Sequence, residues 1–246
     1  MAAHDIPRLA AFAETLADAA RAAILPHFRA DFSVANKGGA RFDPVTEADQ
    51  GAERAMRALI EQHFPEHGIL GEEYGEAKGA GAYQWILDPI DGTRAFIAGL
   101  PTWGVLIALA HEGQPILGVM DQPYLDERYR GHATADARAA SLTARGQTRA
   151  LKTRACAGLR DAILCTTDPY LFHGEEAQAF ARARVAVKLT RYGYDCYAYA
   201  MTALGGVDLV IESGLKAFDI AALIPILTAA GGGVCAWDGG DAPQGG

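Results

Sequence analysis

Cysteine is scarce in this sequence and forms no motif. The 246 residues include four cysteines, scattered without the paired spacing of a disulfide framework or a zinc site, at Cys156, Cys165, Cys196 and Cys235. Reduced, buried thiols of this kind are typical of a cytoplasmic protein, and we expect that location.

Clusters of basic residues are missing as well. The chain has 22 Lys and Arg against 30 Asp and Glu, a formal net charge of −8, and no basic stripe or run. Because neutralising nucleic-acid phosphates requires clustered cations, we expect no nucleic-acid partner. The negative charge also opposes an anionic ligand unless bound cations invert the local field.

Long uninterrupted apolar segments are absent too. Asp5, Glu14 and Asp18 break up the N-terminal region, so we expect no secretory signal. Only residues 220–237 approach membrane length, and they contain Pro225 and three consecutive glycines. For them we predict a buried helix, a glycine turn and a strand, and we expect no membrane partner.

The composition is otherwise that of a globular protein, with 50% hydrophobic and 21% charged residues. This length suits one large domain or two small ones. Apolar residues recur at three- and four-residue steps from Leu9 to Phe28, which predicts a helix through about residue 29. A Gly-rich hinge is predicted at 36–44. A second helix is expected from Thr46, a plausible N-cap with Asp49 in a capping-box position, to the stop at Pro65.

Short strands are predicted at "GILG" and "QWILD", followed by a hairpin that turns at Glu112 and Gly113. Residues 133–150 are weakly patterned, which indicates a boundary. Beyond them, an α/β rhythm is expected, with strands and helices alternating. The predicted strands are 161–167 and 207–213, and the predicted helices are 175–183, 194–204 and 219–230.

Two aspartates stand close together in "WILDPIDGT". Asp88 ends a predicted strand and Pro89 turns the chain, so Asp91 can point back beside Asp88. Two carboxylates about 4 Å apart repel by roughly 4 kcal/mol at an effective dielectric near 20. A divalent cation removes that repulsion, and oxygen ligands favour Mg²⁺, Mn²⁺ or Ca²⁺ over zinc. Gly92 and Thr93 then begin a short helix whose free N–H groups suit a phosphate, so the stretch points to metal-assisted phosphoryl hydrolysis.

The same spacing is also typical of an ordinary capped turn. Two further acidic ends favour a shared site: Glu72 and Glu73 in "LGEEYG", and Asp219 in "AFDIAA". Each alone is typical of a solvated turn or a helix cap. Three such ends in one chain indicate a common function.

Four motifs together carry a resemblance to a known family. "DPVTEAD", "GEE", "WILDPIDGT" and "FDIAALIPILTAAGG", in this order and spacing, resemble the inositol monophosphatase superfamily of Mg²⁺-dependent phosphatases, from about residue 37 to residue 237. The resemblance implies a layered αβαβα sandwich, with an N-terminal α+β half (1–148) and a C-terminal α/β half (149–246). It also implies a homodimer, a small-molecule phosphate ester as substrate, and two or three ions of Mg²⁺ or Mn²⁺ per site.

The resemblance further implies a role for each matching residue. The implied metal ligands are the carboxylates of Glu72, Asp88, Asp91 and Asp219 and the carbonyl of Ile90, with Asp88 bridging two ions. Asp49 and Thr93 would orient and deprotonate a metal-bound water for in-line attack, and Glu72 would help to place a third ion. The amides of Gly92 and Thr93 would hold the phosphate, and Asp91 and Asp219 would also contact the substrate. The chain lacks the D-x-D-x-T and C-x₅-R motifs, so a phospho-enzyme route is not expected.

Within the superfamily, the segments around Thr93 and Asp195 are most similar to histidinol-phosphate phosphatases. The non-phosphate end of histidinol phosphate is cationic, and we expect Asp195 and Glu212 to line it. Arg191 would lie on the phosphate side or pair with Asp195. The alternatives are a helix N-terminal acid for Asp195 and a surface charge for Arg191. Glu73 and Lys216 are expected to support the site or to be solvated.

Two departures from the family pattern stand out. Ala217 and Phe218 occupy positions where the family usually has Pro and Trp or Tyr, and the chain stops at "DAPQGG", where we expect one further strand and helix. Two rival functions remain open. One is a broader inositol or sugar monophosphatase. The other is a metal- and phosphate-binding regulatory module, which the presence of Asp49 and Thr93 opposes because a binder has no use for a water relay.

Overall fold

The computed structural model describes residues 5–30, 34–36, 44–242 and 245 of the chain. Within these residues there are seven α-helices: α1 (Ile6–Ile24), α2 (Glu47–His63), α3 (Thr93–Ile97), α4 (Gly174–Ala186), α5 (Asp195–Ala203), α6 (Ala217–Ile220) and α7 (Leu223–Ala229).

The strands belong to three sheets. The described strands are β1 (Val34–Asn36), β2 (Pro44–Thr46), β3 (Gly68–Gly71), β4 (Gly75–Ala77), β5 (Tyr83–Asp91), β6 (Gly104–His111), β7 (Gln114–Gln122), β8 (Glu127–Ala133), β9 (Arg138–Ala144), β10 (Gln147–Ala150), β11 (Ile163–Thr166), β12 (Leu189–Tyr192) and β13 (Leu209–Val210). Eight of them form one sheet in the order β10-β9-β8-β7-β6-β5-β3-β4, and three form a second sheet in the order β12-β11-β13. In the large sheet only β3 and β5 pair in parallel, whereas the second sheet is entirely parallel. β1 and β2 form a separate antiparallel pair.

Helices α1 and α2 cover one face of the large sheet. α1 buries a stripe whose members are spaced by three or four residues, as an amphipathic helix requires: Leu9, Ala13, Leu16, Ala17, Ala20 and Ile24. From the sheet, β6 contributes Val105, Ile107 and Leu109 to this core.

The opposite face of the sheet packs against α5, α6 and α7. Leu106, Ala108 and Ala110 alternate with the previous set and enter this second core, so β6 is buried on both faces. The small sheet lies beyond α5, which contacts β11 and β13. α4 covers the small sheet through Phe180, which packs near Leu164. The layers therefore run α, β, α, β, α, which confirms the expected sandwich.

Most of the predicted elements are confirmed. The capping box at the start of α2 is present: the Thr46 N–H donates to Asp49 Oδ2 at 2.8 Å, and the Asp49 N–H donates to Thr46 Oγ1 at 3.4 Å. The first helix is shorter than expected. It ends at Ile24 because Pro26 follows, and a 3₁₀ turn covers Leu25–His27.

The weakly patterned residues 133–150 contain two strands, β9 and β10. Their pattern is weak because β10 is an edge strand whose residues are all exposed, so no buried face imposes an apolar alternation. β10 spans the expected boundary, and the division of the chain at residue 148 stays a prediction.

The single helix predicted at 219–230 is wrong. Two short helices, α6 and α7, replace it, and Pro225 lies in the first turn of α7, where its missing N–H is tolerated but cannot continue a helix from α6. The strand expected after the glycine turn is also wrong for the described residues 232–242. There the chain makes a tight turn, in which the Ala236 N–H donates to the Gly240 carbonyl at 2.9 Å.

The hinge predicted at 36–44 lies outside the described residues, apart from Asn36 and Pro44, which belong to β1 and β2. Among the described helices, none combines the length and the apolar character needed to cross a membrane.

Candidate metal centre

A β-bulge in β5 brings Asp88 and Asp91 to the same side. Residues three apart in a regular strand point to opposite faces of the sheet. Here Asp88 pairs with Leu106 and Asp91 pairs with Gly104, so β5 spends one more residue than β6 between the two pairs. The extra residue shifts the alternation of side chains by one step, so that both carboxylates lie on the same face of the sheet and point to one site.

Asp219 completes a group of three carboxylates. It lies in α6, and its Oδ2 accepts the backbone N–H of Lys216 at 2.6 Å, which fixes the side chain across the helix start. Asp88, Asp91 and Asp219 each offer an oxygen within 4.8 Å of the others. Asp219 therefore caps the start of α6 and also belongs to the converging group of acids.

Glu72 reaches this group from the neighbouring strand. It follows β3, which pairs in parallel with β5, so the C-terminal ends of the two strands meet at one edge. The Glu72 N–H donates to the Leu87 carbonyl at 3.1 Å, one residue before Asp88. The charge of Glu72 and a hydrogen bond with it act directly on Asp88.

The electrostatics of the group are those of an unneutralised acid cluster. The pKa of Asp88 is raised well above its usual value by burial and by the charges of Glu72, Asp91 and Asp219. The pKa of Asp91 is raised by burial and by the charges of Asp195 and Asp219. A bound cation would reverse both shifts.

Among the residues that the structure describes, the buried Oδ1 atoms of Asp88 and Asp49 find no hydrogen-bond partner. Buried polar atoms are rarely left unpaired unless a ligand, ion or water completes them. With the three converging acids, these free oxygens fit a hard divalent cation and its water. The residues present therefore suit the metal that the sequence predicted.

Asp49 and Thr93, which are expected to act together on one water molecule, are each hydrogen-bonded to another residue. The Asp49 carboxylate accepts the hydroxyl and the N–H of Thr46, and the Thr93 hydroxyl donates to the Ile90 carbonyl at 3.1 Å. Among the hydrogen bonds of the described residues, none joins Asp49 to Thr93 directly. The charge of Glu72 raises the pKa of Asp49 after the larger effect of burial, so Asp49 also lies beside the acid group.

Gly92 and Asp195 pack against each other at the start of α3. Gly92 has φ of 83°, which favours glycine, and a Cβ there would lie 3.0 Å from Cβ and Cγ of Asp195. Asp195 itself has φ of 44°, a conformation that Asp tolerates better than most residues. Burial raises the pKa of Asp195 to about 6, and the charge of Arg94 opposes that rise.

Glu212 lies after β13, with its carboxylate held by Thr167. It accepts the Thr167 N–H at 2.7 Å and the Thr167 hydroxyl at 3.0 Å. Burial raises its pKa to about 7, and the charge of Asp195 adds to the rise. The two acids predicted to recognise the substrate therefore interact with each other electrostatically.

Arg191 does not pair with Asp195 among the residues that the structure describes. Its Nε and Nη2 donate instead to the Tyr194 hydroxyl, at 3.3 and 3.1 Å, and its side chain is exposed. The end of β12 directs the guanidinium to Tyr194, and Arg94 is the cation that acts on Asp195. The predicted pairing is wrong, while a contact of Arg191 with the phosphate stays a prediction.

Comparison with known proteins identifies the family. Residues 5–245 match the model of the inositol monophosphatase family. The chain belongs to the inositol monophosphatase family. This family is metal-dependent, typically with Mg²⁺, in agreement with the acid cluster described above.

Two relatives of this family member bear different names. It is 47% identical over 237 residues to the chloroplastic bifunctional phosphatase IMPL2 of Arabidopsis thaliana, an alignment that covers 96% of the chain and 66% of that relative, so the chain spans about two thirds of the relative's length. It is 38% identical to the histidinol-phosphatase of Streptomyces coelicolor over 95% of the chain and 88% of that relative.

A solved inositol monophosphatase from Zymomonas mobilis has the same fold. The two superpose with a TM-score of 0.83 at 42% identity, covering 97% of the chain and 89% of the solved structure.

This inositol monophosphatase family member also has site contacts that the sequence did not indicate. Arg94 acts on Asp195, Thr167 holds Glu212, and the Cys196 N–H donates to Asp91 Oδ2 at 2.6 Å. The Cys196 contact and one of the two Thr167 contacts use backbone N–H groups, which leave no signature in a sequence. Arg94 follows Thr93 directly, and that adjacency was the one available signal.

Proposed function

We propose that this chain is a Mg²⁺-dependent phosphomonoesterase that hydrolyses L-histidinol phosphate to L-histidinol and phosphate. The observation that carries the choice of substrate is the position of Asp195. Its carboxylate packs on Gly92, at the predicted phosphate cradle, and its charge acts on both Asp91 and Glu212. A substrate whose phosphate lies beside Gly92 would present its other end to these acids, and a cationic end matches them.

Glu72, Asp88, Asp91, Asp219 and the Ile90 carbonyl would hold the metal. The cation, when bound, neutralises the acids, polarises the phosphate and makes a water more nucleophilic. Ile90 is fully buried, and its carbonyl already accepts the Thr93 hydroxyl at 3.1 Å, so this oxygen is held at the edge of the site.

Asp49 and Thr93 would handle the water. The Thr93 hydroxyl donates a hydrogen bond to the Ile90 carbonyl. The lone pairs of the hydroxyl oxygen are therefore available to accept a hydrogen bond from water. Asp49 Oδ1 has no hydrogen-bond partner in the described part of the chain, and the raised pKa of this carboxyl favours uptake of the water proton. The water oxygen then bonds to phosphorus as the bond from phosphorus to the alcohol oxygen breaks. The leaving alkoxide takes up a proton from solvent, and the proton held by Asp49 returns to solvent, so that one proton is taken up and one is released.

The histidinol-phosphatase of Streptomyces coelicolor, 38% identical to the chain, supports this substrate. The second candidate is an inositol phosphate, which the 42% identity to the solved Zymomonas mobilis inositol monophosphatase supports. A neutral inositol ring could donate hydroxyl hydrogen bonds to these two half-buried acids but would lack the attraction between opposite charges, so the charge around Asp195 favours the cationic substrate.

Phosphate release from three substrates tests the proposal. We expect kcat/KM for L-histidinol phosphate to exceed that for inositol 1-phosphate and for glycerol 2-phosphate by at least about tenfold, since each charge-assisted contact is worth about 1.5–3 kcal/mol. Equal values for all three would favour a broad monophosphatase. Failure to release phosphate from any of them with Mg²⁺ or Mn²⁺ present would favour a binding module.

A further inference from the structure

A buried ion pair in α2 closes the turn that carries Glu72. Glu53 is fully buried, and its Oε1 accepts Arg57 Nε at 2.7 Å. The same carboxylate accepts the backbone N–H groups of Glu73 at 2.8 Å and of Tyr74 at 3.2 Å. Burying a carboxylate is costly unless it is paired and fully hydrogen-bonded, and here those bonds are made to the residues directly after Glu72.

Arg57 holds the other end of the same turn. Besides its bond to Glu53, its Nη2 donates to the carbonyl of Gly75, the first residue of β4. The pair thus binds two N–H groups between β3 and β4 and the carbonyl of the first residue of β4. Because the residues of β4 are exposed, this edge of the sheet has little apolar packing of its own.

Gly71 makes the close approach possible. A Cβ at this position would lie 2.0 Å from Glu53 Oε1, which no ordinary contact permits. On its other side, the Glu72 N–H donates to the Leu87 carbonyl at 3.1 Å. The backbone at Glu72 is therefore held by strand β5, and the two residues that follow it are held by the Glu53 carboxylate.

We propose that Glu53 is a positioning residue that holds the backbone of the β3–β4 turn so that the Glu72 carboxylate faces Asp88. The inference rests on the proposed function, because Glu72 acts there as a metal ligand. Metal ligands must be held close to their productive geometry, and partners that orient them typically affect metal affinity by about 10- to 100-fold. Glu53 acts from behind the turn and does not itself touch the metal.

Mn²⁺ binding, followed by the loss of the free-ion electron paramagnetic resonance signal, tests the proposal on the full chain. Glu53→Gln keeps the shape of the side chain but replaces one acceptor oxygen by a donor, so it cannot satisfy Arg57 and both N–H groups. We expect Mn²⁺ affinity to fall by about 10- to 100-fold and amide hydrogen exchange at Glu73 and Tyr74 to accelerate. Gly71→Ala, which displaces the intact carboxylate, should produce the same pair of changes.

Asp121→Asn is the matched control. Asp121 is equally buried and binds Arg21 and Arg128, but its partners belong to α1 and β8 rather than to the turn. We expect it to lower the melting temperature without changing Mn²⁺ affinity. Unchanged affinity in Glu53→Gln, or an equal loss in Asp121→Asn, would overturn the positioning role. If Glu53→Gln fails to fold, Gly71→Ala decides alone, and Mn²⁺ affinity at the wild-type level in it would overturn the role. If the wild-type chain binds no Mn²⁺, the proposed function fails instead.

Discussion

The backbone N–H of Cys196 donates to Oδ2 of Asp91 at 2.6 Å, across 105 residues of sequence. Cys196 is the second residue of α5, where a helix leaves its N–H groups without helical partners. The bond therefore uses a free helix donor to hold a carboxylate of the candidate metal centre. It joins the sheet edge that carries Asp88 and Asp91 to the helix that begins with Asp195.

Asp88→Asn should remove activity almost completely. Within the described residues, Asp88 has three acidic neighbours and an oxygen without a hydrogen-bond partner, and an amide cannot supply the charge that a cation needs there. We expect kcat/KM to fall by at least about 100-fold, in line with the loss of several kcal/mol of charge stabilisation. Calorimetry should show metal binding weakened in parallel. Chelation of the wild type should abolish turnover and Mg²⁺ should restore it, so an Asp88→Asn protein active in excess chelator would exclude this site.

Thr93→Ala should separate chemistry from metal binding. The hydroxyl is expected to orient water and is bound to the Ile90 carbonyl, so its removal should lower kcat by about 10²–10⁴-fold, the usual range for proton-transfer groups. Metal affinity measured by calorimetry should change little. An equally large loss of metal affinity would show that Thr93 supports the ligands rather than the water.

Asp195→Asn and Glu212→Gln should change the preference among substrates. If each acid attracts a cationic substrate, each change should lower kcat/KM for L-histidinol phosphate by roughly tenfold or more, at about 1.4 kcal/mol per decade. Glycerol 2-phosphate, which lacks a cationic end, is the control and should be nearly unaffected. A ratio between the two substrates that stays constant would make both acids structural.

The metal-free protein should lose stability as pH rises from about 5 to 8. The pKa of Glu212 is raised to about 7 by burial, whereas an unfolded Glu titrates near 4.3. Between these values the folded state binds more protons than the unfolded state, so the free energy of unfolding falls with increasing pH. Melting temperatures in chelator should show this fall, and Glu212→Gln should reduce it. A melting temperature that rises over the same range would contradict the burial of Glu212.

Gly92→Ala should destabilise the protein more than Gly113→Ala. Both glycines have positive φ, 83° and 79°. A Cβ at Gly113 would meet no atom of the described residues within 4 Å, while at Gly92 it would lie 3.0 Å from Asp195. Gly113→Ala should therefore cost about 1–2 kcal/mol from backbone strain alone. Thermal unfolding should reveal the additional cost at Gly92. Equal losses would mean that Asp195 moves away freely.

Much of the fold was predictable because its patterns are local. The stripe on α1 follows directly from apolar spacing, the hairpin of β6 and β7 from its turn at Glu112 and Gly113, and the start of α2 from the N-cap Thr46. Edge strand β10 was not predictable, since all of its residues are exposed and the sequence therefore shows no alternation of apolar and polar residues. The division of the predicted helix 219–230 into α6 and α7 was missed because Pro225 lies in a largely apolar segment that otherwise fits one helix.

For the site, the converging acids could be inferred from their motifs, and Asp88, Asp91 and Asp219 do converge. The hydrogen bonds that hold these acids in place could not be inferred from the sequence. The bond from Cys196 and the bonds to Glu53 involve backbone groups brought together by the tertiary fold. The alternative that paired Arg191 with Asp195 is wrong because sequence proximity does not give the direction of a long side chain, which here meets Tyr194.

The bulge in β5 makes the candidate centre sensitive to chain length as well as to side-chain identity. Inserting one residue between Asp88 and Asp91, with the bulge kept, would add one step to the two-residue alternation and turn the carboxylate of Asp91 towards the α1 and α2 side of the sheet. There it would meet apolar packing instead of acids. An exchange of Ile90 for another apolar residue keeps the number of residues and the carbonyl, so this segment should accept a new side chain far more readily than a single insertion.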